Sequence, residues 1–278
     1  MPVPNPQPPT TALTLAAGEG TRLRPLTLEV PKVLLPIAGV PLICYTLAWL
    51  KRHGISGVVI NLHHLGEKIR EFLGDGSRFG LEIVYSPEEI LLGTAGGVKK
   101  MERLLAAKSQ SPAANLFVVA YGDVLTDLDL SAMVSFHRAK KALATLALFQ
   151  AANPREVGVV NLNKEDMVVS FTEKPEYPIS NPQPPPTLAN GGIYILQREF
   201  LDYIPGQGFV DFACDIFPKL IELGLPIYGY RLQPGDYLID IGSPEKYRKA
   251  NEDVLDNSKF KVQTATLNTE PRTLNVEH

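Results

Sequence analysis

Thr11–Thr27 reads TALTLAAGEGTRLRPLT, and Pro31-Lys32 follows a few residues later. An apolar, strand-like run from Thr11 to Ala17 empties into a loop that carries Gly18 and Gly20, then Arg22 and Arg24, with Lys32 beyond. In an open α/β sheet, the loop leaving the carboxyl end of a strand is where ligands sit. Two glycines let backbone N–H groups approach an anion closely, and three cations supply charge, so a polyphosphate suits the loop. Two named phosphate loops are excluded. A Walker A loop needs GxxxxGK[ST], and no Lys-Ser/Thr pair follows Gly20. A dinucleotide fingerprint needs a third glycine where this chain has Leu23.

Outward from that loop the apolar pattern alternates. Val33–Leu50 is a run of 18 residues without a charge, long enough on length alone for a membrane span, but Pro36, Gly39 and Pro41 interrupt it. It reads instead as a short buried strand, a turn, and a helix over Pro41–His53 ended by Gly54. Gly57–Leu62 reads as a strand, Leu65–Leu73 as an amphipathic helix, Leu81–Tyr85 as a strand, Thr94–Leu105 as a helix and Leu116–Tyr121 as a strand. In the second half, Gly158–Leu162 and Val168–Thr172 suggest a hairpin, with further strands at Pro226–Leu232 and Tyr237–Ile241. The expected fold is therefore α/β and Rossmann-like: a mostly parallel sheet with helices on both faces and antiparallel additions in the second half. Residues 1–10 are proline-rich and read as a disordered arm, Pro175–Pro186 reads as an exposed proline loop, and 256–278 reads as a polar tail.

The chain has 278 residues, 45% hydrophobic and 21% charged, which excludes wholesale disorder. Lys and Arg number 27 against 30 Asp and Glu, so no global basic field recruits nucleic acid or an anionic membrane. Any bound phosphate must be held locally. Cys44 and Cys214 form no metal-binding or redox pattern, and the first basic residue is Arg22, so a secretory signal is not expected and the cytoplasm is the expected address. His53, His63, His64, His137 and His278 show no nucleophile–base spacing and read mainly as surface residues.

The phosphate loop does not stand alone. GEGTRLRPLT and Pro31-Lys32, Gly93-Thr94-Ala95-Gly96-Gly97, Gly122-Asp123, Glu173-Lys174-Pro175, Asn190-Gly191-Gly192 and Asp240-Ile241-Gly242 follow in one order. In this the chain resembles the sugar-1-phosphate nucleotidyltransferases (NDP-sugar pyrophosphorylases), from about Thr11 to Leu255, and is most like the mannose-1-phosphate guanylyltransferase type. The resemblance implies one nucleotidyltransferase domain over 11–255, with a nucleotide-binding half to about residue 130 and a sugar-phosphate-binding half beyond it. The left-handed β-helix domain appended in some relatives is expected to be missing. The implied partners are a nucleoside triphosphate and a sugar-1-phosphate, without nucleic acid or membrane and with homo-oligomerisation left open.

By resemblance, Arg22 clamps the triphosphate with the backbone from Ala17 and Gly18 through Gly20 and Thr21, and Lys32 neutralises charge near the α-phosphate. Arg24 has the simpler reading of a loop salt-bridge partner. Asp123 and Asp240 each end an apolar strand, and magnesium prefers oxygen ligands such as one or two carboxylates. They are the expected Mg²⁺ pair, with Asp127 and Asp129 as nearby decoys. Glu173 is expected on sugar hydroxyls, Lys174 on the sugar phosphate, and Asn190 with Gly191 beside the sugar, the rival for Asn190 being a plain β-turn. Gly93, Thr94 and Gly96 belong to the loop expected at the base. Glu88 is the candidate guanine reader, because a carboxylate can accept both the N1–H and the N2 amino hydrogen. GTP with mannose-1-phosphate or a related sugar is thus the first substrate pair. A UTP- or dTTP-dependent glucose or amino-sugar enzyme is the second, and a catalytically silent sugar-nucleotide-binding regulatory protein is the alternative of another class.

Overall fold

The computed structural model describes residues 10–107, 115–175, 187–257 and 260. The amino-terminal arm, the proline loop beyond Pro175 and nearly all of the tail lie outside them.

Apolar runs with both faces covered form the central sheet. β1 (Thr11–Leu15) puts Ala12 into one core and Leu13 into the other, as period-two side chains require. A small hairpin, β2 (Pro36–Ile37) with β3 (Val40–Pro41), precedes the Leu42–Arg52 helix, for which Pro41 is the cap residue. β4 (Gly57–Leu62), β5 (Glu82–Pro87) and β6 (Leu116–Tyr121) complete a parallel set in the order β5-β4-β1-β6. The chain visits β4 and β5 on one side of β1 and then crosses to β6 on the other. The crevice at the carboxyl ends of β1 and β6 is therefore a topological switch point, the place where such sheets bind ligands.

The second half adds β7 (Val124–Thr126), β8 (Ala144–Ala151), β9 (Gly158–Leu162), β10 (Val168–Glu173), β11 (Thr187–Gln197), β12 (Ile227–Arg231) and β13 (Leu238–Asp240). β9 and β10 are the expected hairpin, whereas β12 runs parallel to β8. β11 joins the halves: from Ile193 onward it pairs antiparallel with β6, while Ala189 pairs with Val159 of β9. The register against β8 slips between Asn190 and Tyr194, so Asn190-Gly191-Gly192 is a bulge inside a long strand and not a turn. Gly192 has φ of +69°, and a Cβ there would lie 3.1 Å from the Tyr121 ring. The bulge opens the sheet beside the carboxyl end of β6.

Helices Leu42–Arg52, Gly66–Leu73 and Leu130–Lys140 cover one face, burying Leu47, Trp49, Ile69 and Met133 against Val58, Ile60 and Val118. On the other face, Val98 of the Gly93–Lys100 helix and an aromatic group of Phe200, Phe212 and Phe217 pack on Leu13, Val59 and Tyr194. The expected Thr94–Leu105 helix is two, Gly93–Lys100 and Glu102–Ala107. Two expectations are corrected. His137 is fully buried, with Nδ1 at 2.9 Å from Thr145 Oγ1, because its helix turns that face onto β8. Phe260, within the expected polar tail, is buried edge-on between Tyr45 and Tyr237. Cys44 and Cys214 are both free. No helix among the described residues is long and apolar enough to cross a membrane.

Candidate active site

The loop after β1 is fixed at its root. Gly122 N–H donates to Leu15 O at 2.8 Å, tying the ends of β6 and β1 together, and Ala16 N–H donates to Asn61 Oδ1 at 2.7 Å. Gly20 has φ of +64°; its carbonyl accepts from Leu23 N–H at 2.9 Å and from Thr27 Oγ1 at 2.8 Å, and a Cβ on it would meet Thr27 at 2.8 Å. This turn starts a single 3₁₀ turn, Thr21–Leu23, that buries Leu23 and leaves Arg22 exposed on the opposite side. Arg24 pairs with Glu19 at 3.2 Å on the surface, as its simpler reading required.

Lys32 begins another 3₁₀ turn and is largely buried, paired with Asp123 just past β6. β13 lies antiparallel to β7 with Asp240 opposite Val124, and Ile241 N–H donates to Asp123 O at 2.9 Å. That register brings Asp240, far away in sequence, alongside Asp123. Asp240 accepts from Lys246 Nζ at 2.5 Å and from Gly242 N–H at 2.9 Å. Burial opposes its ionisation, but the Lys246 bond and charge, the Gly242 amide and the charge of Lys32 outweigh it and hold the carboxyl below its ordinary range. Arg22 reaches across from the loop: its Nη2 lies 2.8 Å from where a Cβ on Gly242 would sit. Asp127 and Asp129 are structural. Asp127 accepts from Tyr237 N–H at 2.6 Å, and Asp129 caps the Leu130–Lys140 helix.

Two cavities adjoin here. The first, of about 340 Å³, is lined by Ala17, Gly18, Gly20, Thr21, Lys32, Gly93 and the apolar Leu91 and Phe209. The second, of about 190 Å³, lies at the bulge and is lined by Glu173, Lys174, Asn190, Gly191, Gly192 and Asp240. Arg22, Thr94, Tyr121, Asp123 and Asp211 face both. Lys174 has φ of +40° and its Nζ is 3.3 Å from Glu173 Oε1, so the pair sits together at the rim of the second cavity. Asn190 is held by its neighbours, donating to Tyr194 Oη at 2.8 Å and accepting from Gly192 N–H at 3.2 Å.

Two expected nucleotide contacts line neither cavity. Glu88 is buried, with Oε1 accepting from Asn61 Nδ2 at 2.7 Å and Oε2 from Leu92 N–H at 3.1 Å. It braces Asn61, and through Asn61, whose Oδ1 accepts from Ala16 N–H, the root of the phosphate loop. Gly96 N–H is spent on Val210 O at 3.0 Å. Conversely, Asn61, Leu91, Tyr121, Phe209, Asp211 and Lys246 belong to the site or brace it, and no spacing in the sequence singled them out.

The donor chemistry fits a hard cation. Asp123 and Asp240 offer oxygen only, and no group of three or more His, Cys, Asp or Glu side chains able to hold a metal occurs among the described residues. A cation at this pair would complete its shell from phosphate and water, as magnesium does.

A glycine-bearing loop at a switch point, a carboxylate pair and two adjoining cavities thus stand together at one edge of the sheet. A family model described as "Nucleotidyl transferase" matches residues 11–257, and the chain belongs to that family. It is 37% identical over 276 residues to a UTP--glucose-1-phosphate uridylyltransferase of Synechocystis sp., covering 94% of this chain and 67% of the relative. It is also 37% identical over 245 residues to a mannose-1-phosphate guanylyltransferase of Mycobacterium tuberculosis, covering 88% of this chain and 64% of that protein. The chain thus spans about two thirds of the length of these relatives. A Bacillus anthracis protein crystallised with sucrose shares the fold at a TM-score of 0.74, with 24% identity over 90% of this chain and 98% of that one. Members of the family generally use a divalent metal.

Proposed function

We propose that the chain joins a nucleoside triphosphate to a sugar-1-phosphate, releasing pyrophosphate, with GTP and mannose-1-phosphate as the first substrate pair. The observation that carries this reading is the meeting of the two cavities at Arg22 and Asp123, with Lys32 and Asp240 beside them. A triphosphate in the first cavity has its α-phosphate at that junction, and a sugar phosphate in the second has its oxygen there.

The phosphate oxygen of the sugar forms the new bond to the α-phosphorus as the α–β bridge bond breaks and pyrophosphate leaves. Such a reaction needs alignment and charge stabilisation and no covalent intermediate on the enzyme. The loop amides and the Arg22 fork hold the departing β- and γ-phosphates, and Lys32, oriented by Asp123, stabilises charge gathering on the α-phosphate. Lys174 balances the incoming sugar phosphate, and Glu173 and Asn190 orient the sugar. Asp123 and Asp240 would hold Mg²⁺, which when bound screens repulsion between the two phosphorylated substrates.

The choice of base rests on relatives, since Glu88 is not among the residues that line the first cavity. Several relatives bear mannose-1-phosphate guanylyltransferase names, which supports GTP first. The Synechocystis relative supports UTP with glucose-1-phosphate as the second reading. Pyrophosphate release by the purified protein with Mg²⁺, across four NTPs and a panel of sugar-1-phosphates, tests both. GTP with mannose-1-phosphate is expected to be fastest. Turnover with UTP and none with GTP replaces the first pair by the second. Tight NDP-sugar binding without turnover in either direction overturns the enzyme reading in favour of a regulatory protein.

A further inference from the structure

Between the two cavities runs a line of side-chain hydroxyls. Asn190 Nδ2 donates to Tyr194 Oη at 2.8 Å, and that hydroxyl donates to Tyr121 Oη at 3.2 Å. Tyr121 faces both cavities together with Thr94, whose Oγ1 donates to Asp211 Oδ2 at 2.8 Å. Each hydroxyl has a single proton. Tyr194 accepts from Asn190 and gives its own proton to Tyr121, while Thr94 gives its proton to Asp211. The bonds from Asn190 to Tyr121 therefore run in one direction, and bonds in such a series strengthen one another.

Both ends are pinned. Gly192 N–H donates to Asn190 Oδ1 at 3.2 Å, Phe212 N–H donates to Thr94 Oγ1 at 2.9 Å, and Ala213 N–H donates to Asp211 Oδ1 at 2.8 Å. The tyrosine rings meet edge to face at 5.7 Å, and the Tyr194 ring packs on Phe212 and Phe217 at 5.3 and 5.2 Å, which fixes both hydroxyls in place. Burial raises both phenols above their ordinary range, with the neighbouring Tyr194 adding to the effect on Tyr121, so the line keeps its protons at neutral pH. Asn190 ends on the second cavity, whereas Thr94, Tyr121 and Asp211 face both. The four segments that carry these groups are remote in sequence, and Tyr121 brings the bulge side of the site next to Thr94 of the Gly93–Lys100 helix where the two cavities meet.

We propose that Tyr121 and Tyr194 are positioning residues that couple the two substrate sites, so that a sugar phosphate seated at Asn190 sets Thr94 for the nucleotide, and the nucleotide does the same in return. Reciprocity follows from linkage. This inference rests on the reaction proposed above. A single experiment tests it: initial rates of pyrophosphate release over a full grid of NTP and sugar-1-phosphate concentrations. The grid gives an interaction factor, the ratio of the NTP dissociation constant without sugar phosphate to that with it. A factor of about fivefold or more is expected for the wild type. It should collapse to unity in Tyr121→Phe and in Tyr194→Phe, which keep the rings and remove the hydroxyls, and it should persist in Thr94→Ser, which keeps the hydroxyl. A loss of packing alone would lower thermal stability and leave the factor intact. A wild-type factor of unity, or either phenylalanine variant retaining the wild-type factor, overturns the coupling. Should one phenylalanine variant not fold, the other and the contrast of Thr94→Ser with Thr94→Val decide by the same criterion. Absence of pyrophosphate release by the wild type overturns the reaction and the coupling with it, a result distinct from an active enzyme whose substrates bind independently.

Discussion

Asp123 holds Lys32 and stands beside Asp240 at the junction of the two cavities, so its charge belongs to the transition state more than to nucleotide binding. Asp123→Asn is expected to lower turnover by about 100-fold or more with a much smaller change in the KM for NTP. Near-normal turnover in steady-state assays would contradict that. Glu88 is the opposite case, a carboxylate whose work is internal. Glu88→Gln leaves either Asn61 or Leu92 N–H without its acceptor in a buried place, a loss of about 1–3 kcal/mol in urea denaturation, with the GTP-to-UTP turnover ratio unchanged. Unaltered stability with a shifted ratio would return Glu88 to the base. These two carboxylates show what the sequence could and could not disclose at this scale. The place of Asp123 at the carboxyl end of a buried strand was legible because the apolar run Leu116–Tyr121 precedes it. The internal partners of Glu88 were not, because Asn61 stands on another strand and only the folded chain brings the two together.

Elements with a clean period were legible and interrupted ones were not. Gly57–Leu62 and Leu116–Tyr121 fall where the apolar runs predict them, because a strand buried on both faces is written as a continuous apolar stretch. β8 was passed over, and β11 hid behind Asn190-Gly191-Gly192, since a bulge and a turn use the same residues and only pairing with β6, β8 and β9 distinguishes them. His137 was misread for a related reason: on its amphipathic helix it looks polar, yet Thr145 of β8 receives it in the core. Burial, aided by the charge of Arg138, lowers its pKa from 6.5 to about 4. Between those values the unfolded chain binds a proton that the folded chain refuses. Stability is therefore expected to fall as pH drops from 6.5 toward 4, by about 3 kcal/mol from this residue. The stability-versus-pH curve from denaturant titrations should flatten over that window in His137→Gln, and an unchanged slope would contradict the assignment.

At the scale of the molecule, the two halves meet where β11 leaves β6, and the strand order places the phosphate loop at the same edge. The sheet thus brings Arg22 and Lys32 from the first half to Asp240 and Glu173 from the second, across a cavity pair that neither half forms alone. The claim on which all of this depends is that one diphosphate bridges the two cavities at Arg22 and Asp123. A crystal structure of the protein with its NDP-sugar product and Mg²⁺ tests it most directly. The account predicts the base beside Gly93 and Phe209, the diphosphate at Arg22, Lys32 and Asp123, and the sugar against Glu173 and Asn190. A diphosphate bound away from that junction, or a sugar seated outside the bulge of β11, would contradict it.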